Sequence, residues 1–119
     1  MSATNIFESL KAILKKYEPK LQVVHNKPDN YYLHTPATDK NAKGEFFGAV
    51  QVKKSYVAFH LMPVYYHPGL LNDISKELKK HMQGKSCFNF NDADTALFTE
   101  LKKLTASSFE KYKELGKVK

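Results

Sequence analysis

Apolar residues recur at three- and four-residue spacing near the start of the chain: Ile6, Phe7, Leu10, Ile13, Leu14 and Tyr17 share one side, and Glu8, Lys11, Lys15 and Lys16 fill the other. That period predicts an amphipathic helix over 5–17. Asn5 is placed to cap it, Glu8 follows three residues later as in a capping box, and Pro19 ends the pattern. From Leu21 the period shortens. Runs rich in β-branched and aromatic residues, at 21–25, 31–35, 46–52 and 56–62, are separated by turn formers, and predict a meander of about four strands. Asn26 to Asn30 is a turn cluster, Pro36 to Gly44 reads as a polar loop, and Lys53-Lys54-Ser55 is a tight link. Alternation puts Val50, Val52, Val57, Phe59 and Leu61 on one sheet face and Gln51, Tyr56, Ala58 and His60 on the other.

A second helix is predicted over 68–83, with Pro68 in its first turn, Leu71, Ile74, Leu78 and Met82 along one side, and Gly84 as its stop. Ser86 to Phe90 reads as one more strand. Asn91 or Asp92 then caps a final helix to about Leu115, striped by Leu97, Leu101, Leu104, Phe109, Tyr112 and Leu115. The order α-β-β-β-β-α-β-α makes this an α+β fold, an antiparallel sheet of about five strands with three helices gathered on one face. Residues 1–119 form one domain on this reading, with no internal repeat and no linker.

The segment Gly84-Lys85-Ser86-Cys87-Phe88-Asn89-Phe90, set between a lysine-rich helix and a leucine-spaced one, resembles the YdhG-like domain family. The hairpin from Gly48-Ala49-Val50 to Tyr56-Val57-Ala58-Phe59-His60 fits the same layout, so the likeness covers roughly residues 5–115. It implies a small α/β domain. The family is largely uncharacterised, and some members are described as frataxin-like iron chaperones, which makes a metal carrier the alternative function. Hard iron ions call for clustered carboxylates, whereas the acids here are scattered and outnumbered by lysine.

Composition narrows the classes further. With 42% hydrophobic and 13% aromatic residues, the chain has the apolar surface of a packed globule. One cysteine, no basic N-terminal leader and no long apolar run predict a cytoplasmic protein with no disulfide and no membrane partner. The net charge of +7 invites a nucleic-acid reading, but every basic residue is lysine. Bidentate base recognition and planar stacking are arginine chemistry, so nucleic acid ranks third among partners, behind a small ligand and a partner protein.

Each chemical motif has a plainer structural explanation. Gly84-Lys85-Ser86 copies the tail of a phosphate-binding loop, but Lys79 stands where its first glycine belongs. His25, His34, His60, His67 and His81 never fall at the helical metal-pair spacing, although His34 and His60 could share a sheet face. Cys87 lies between a lysine and two phenylalanines and is expected to pack. No catalytic residue, metal ligand or cofactor is assigned, and the oligomeric state stays open, dimerisation included. The aromatics are the exception, because adjacent rings such as Tyr31/Tyr32 and Phe46/Phe47 must face opposite ways on a strand. An aromatic wall with Lys and His at its rim suits a small anionic or planar ligand or a partner protein. The residues expected to form it are Tyr32, His34, Phe47, Tyr56, His60, Tyr65, Tyr66 and Lys85. The chain thus reads as a non-enzymatic binding module.

Overall fold

In the computed structural model, which describes residues 3–37 and 44–118, the first helical period folds as α1 (Ala3–Lys15). Asn5 lies inside this helix instead of capping it, because α1 begins two residues earlier. Its apolar stripe is buried from Ile6 to Leu14, and a short 3-10 turn at Glu18–Lys20, with Pro19 inside it, redirects the chain into the sheet.

The meander follows as β1 (Gln22–Lys27), β2 (Asn30–His34), β3 (Phe46–Val52) and β4 (Val57–Leu61). Most of the polar loop read at 36–44 falls on residues 38–43, outside the described residues. Its return is fixed by Gly44, whose φ is +73° and where a Cβ would stand 2.0 Å from the Thr35 carbonyl oxygen. Only glycine fits that approach. The Thr35 amide donates to the Glu45 carbonyl at 2.7 Å and the Glu45 amide donates to Oγ1 of Thr35 at 2.8 Å, which sets Glu45 at the mouth of β3.

The predicted 68–83 helix does not form as one piece. A helical turn α2 (Met62–Tyr66) precedes it, and a 3-10 turn at Pro68–Leu71, a single turn α3 (Lys76–Lys79) and strand β5 (Met82–Gln83) take its place. Polar Asn72 and Asp73 interrupt the stripe, and Ser75 starts a new N-terminus by accepting from the Leu78 amide. The Ser75 amide and hydroxyl in turn donate to the Glu100 carboxylate, at 2.8 and 2.7 Å. Gly84, at φ +75°, therefore turns a β5–β6 hairpin and is not a helix stop. Strand β6 (Cys87–Phe90) leads to α4 (Thr95–Glu114), capped by Asp94 rather than by Asn91 or Asp92.

All pairings are antiparallel, and the six-stranded sheet runs β1-β2-β3-β4-β6-β5. Val50, Val57, Phe59 and Leu61 point into the core as the alternation requires, joined by Tyr31, Leu33, Phe88 and Phe90 against α1 and α4. The α4 stripe is buried from Leu97 to Tyr112, whereas Leu115 is exposed past the helix end. The Cα radius of gyration is 13.6 Å, as expected for one core of this length. No helix among the described residues is long and apolar enough to cross a membrane.

Candidate functional site

Among the described residues, no helix covers the second sheet face. Its residues alternate with the core set: His25 on β1, Tyr32 and His34 on β2, Phe46 and Ala49 on β3, Ala58 and His60 on β4, and Cys87 and Asn89 on β6. Register decides which rings meet there. Leu33 pairs with Gly48 but His34 pairs with Phe46, so the ladder slips by one residue on β3. This bulge turns Phe46 outward and sends Phe47 inward, fully buried against Tyr17, Phe109 and Tyr112.

The result is a row of rings that crosses the sheet. His25 lies 5.7 Å from Tyr32, Tyr32 stacks on Phe46 at 4.6 Å, and Phe46 lies 6.3 Å from His34 and 6.4 Å from His60. Ala49, opposite His60, and Ala58, opposite Gln51, are buried on this face among the larger side chains. Beside His60 the face dips into a hollow of about 570 Å³, lined by Gln51, Lys53, Tyr56, Ala58, His60, Gln83, Cys87 and Asn89. Amide side chains at Gln51, Gln83 and Asn89 offer both donors and acceptors, and Lys53 supplies a cation.

Tertiary pairing of β4 with β6 also produces a contact that no linear motif announces. The Cys87 Sγ lies 3.8 Å from Nε2 of His60 and donates its proton to Oδ1 of Asn89 at 3.2 Å. Cys87 is half-buried on the open face, not packed beside Phe88 and Phe90 as its neighbours in sequence suggested, because strand alternation points it the opposite way. Burial raises the thiol pKa while Lys53 opposes, and burial then Lys53 lower the His60 pKa. Both shifts favour neutral partners. A thiol has one proton, and with it directed to Asn89 the pair rests as thiol and imidazole, not as the thiolate and imidazolium of a nucleophilic dyad.

Of the residues expected at a binding wall, Tyr32, His34, Tyr56 and His60 fall together on the open face. Phe47 does not; Phe46 stands in its place. Tyr65 and Tyr66 sit on α2, packed edge-on to each other at 5.3 Å, and Lys85 in the β5–β6 turn reaches over the Tyr65 ring at 5.8 Å. The sequence reading missed Phe46, Gln51, Lys53, Gln83 and Asn89. Strand alternation already put Gln51 on the same face as His60, but only the bulge and the sheet order bring in the others. Among the described residues no group of three or more His, Cys, Asp or Glu side chains is arranged to hold a metal ion. No family model, no curated protein and no solved structure matches the chain.

Proposed function

We propose that the open sheet face binds a small planar molecule carrying an anionic substituent, and that the protein acts as a non-enzymatic binding module. What carries this reading is the ring row from His25 through Tyr32 and Phe46 to His60, held beside the hollow under Lys53. Apolar rings supply stacking area, the three amide side chains orient a heterocyclic edge, and the ammonium of Lys53 meets the anionic group. The hollow's volume is within the few hundred Å³ that such ligands occupy.

A protein partner is the second reading, favoured by β1, whose six residues are all exposed on a sheet edge with one unpaired side. The iron-carrier alternative rests on the YdhG-like resemblance alone. The discriminating experiment is a thermal-shift screen with planar heterocyclic carboxylates and nucleotides, ferrous iron and short oligonucleotides, at low and moderate salt. A salt-resistant shift with a planar acid, lost in Phe46→Ala and Tyr32→Ala, is the expected result. A shift with iron alone, or one with oligonucleotides that collapses with salt, would replace the reading by the corresponding alternative. Planar-acid binding that survives both substitutions would remove the open face from the function.

A further inference from the structure

Where α4 ends, the chain builds a second hollow, on the far side of Phe46 from His60. Gly116, at φ +76°, closes the helix so that the Lys117 amide donates back to the Tyr112 carbonyl at 2.9 Å. This reversal swings the Lys117 side chain over the Tyr112 ring, 4.9 Å from its centroid, and onto the Glu45 carboxylate that the Thr35 turn holds in place. Tyr66 of α2 flanks the same ammonium at 5.9 Å. The hollow enclosed is about 460 Å³, lined by Glu45, Phe46, Met62, Tyr66, Tyr112 and Lys117.

One group in this lining has nothing to do in the protein itself. The Tyr112 hydroxyl is buried and makes no hydrogen bond to any of the described residues. Buried hydroxyls are normally paired, because desolvation of an unpaired one is not recovered. Tyr112 lines the hollow together with Glu45 and Tyr66, and burial first, then those two neighbours, raise its pKa, so the hydroxyl stays protonated as a donor. The charges of the lining balance, one carboxylate against one ammonium, which disfavours a net-charged guest.

We propose that this hollow is a second binding site, for a small uncharged ring compound whose carbonyl or ring-nitrogen acceptor takes the hydrogen bond of the Tyr112 hydroxyl. Phe46, Met62 and Tyr66 supply the apolar wall, and the donor sets the orientation. Its evidence is the unpaired hydroxyl and not the ring row, and Phe46 is the one residue the two sites share.

The test compares benzamide, benzoate and toluene binding to the wild-type protein and to Tyr112→Phe by amide chemical-shift titration. Benzamide should bind in the millimolar range and shift the amides of Glu45, Phe46, Tyr66 and Lys117 more than those of Gln51, His60 and Asn89. Tyr112→Phe should weaken benzamide by about tenfold and leave toluene unchanged. Because it removes only an unpaired oxygen, the variant should melt no lower than wild type. Three results would overturn the site: benzamide binding equally to both proteins or to neither, preference for benzoate, or a lower melting temperature in Tyr112→Phe, which would show the hydroxyl already partnered.

Discussion

The two neighbours Phe46 and Phe47 should respond very unequally to truncation. Phe47 is fully buried in the core, with ring partners Tyr17, Phe109 and Tyr112, and its replacement by alanine removes a whole buried ring from between α1, α4 and the sheet. Phenylalanine truncations of this kind cost about 3–5 kcal/mol. A domain of this size loses about 4 °C of melting temperature per kcal/mol, so Phe47→Ala should fall by roughly 12–20 °C. Phe46 is half-buried, and its main loss is the stack on Tyr32, worth about 1 kcal/mol and thus about 4 °C. Urea denaturation followed by far-UV circular dichroism gives both values in one experiment, with an unchanged slope confirming that only stability moved. Equal losses, or a larger loss for Phe46→Ala, would refute the bulge assignment and with it the ring row, because a regular ladder would exchange the two side chains between faces.

Two further outcomes follow from the burial of His60 and Cys87. The folded-state pKa of His60 is lowered from its ordinary 6.5, so the unfolded chain binds the extra proton first: the stability tied to neutral His60 is present above that value and is lost as pH falls below it toward the folded-state value. His60→Gln should flatten that part of the pH–stability curve, and an unchanged slope would show the ring already charged or solvated. Cys87, with its pKa raised by burial, should react with iodoacetamide at pH 8 at least about tenfold more slowly than in urea. A rate above that of the unfolded chain would mean an activated thiolate and would reopen the case for an enzyme.

How far the site was legible depended on whether a residue's face could be counted from its own strand. Gln51, Ala58 and His60 fall on the open side by simple alternation within β3 and β4, and Tyr32 is opposed to Tyr31 by the same rule. Phe46 broke the count because the slip opposite Leu33 and His34 adds a residue to β3, and a bulge leaves no mark in hydrophobic periodicity. Cys87 was misplaced for a different reason. Phe88 and Phe90 just after it imply a buried segment, but on a strand the residue next to a core side chain faces the other way.

The sequence by itself determined the α+β class, the first and last helices, the meander and the core stripes, since each follows from local spacing and from the free energy of burying one face. It could not determine that the 68–83 stripe would break into short turns, where the local helical preference of four or five residues is weaker than the Ser75–Glu100 hydrogen bonds and the β5–β6 pairing. Nor could it place Lys53, His60, Cys87 and Asn89 around one hollow, or leave the Tyr112 hydroxyl buried and unpaired beneath Lys117. Those arrangements join residues far apart in the chain through sheet order and helix packing, and only the tertiary structure fixes which of them meet.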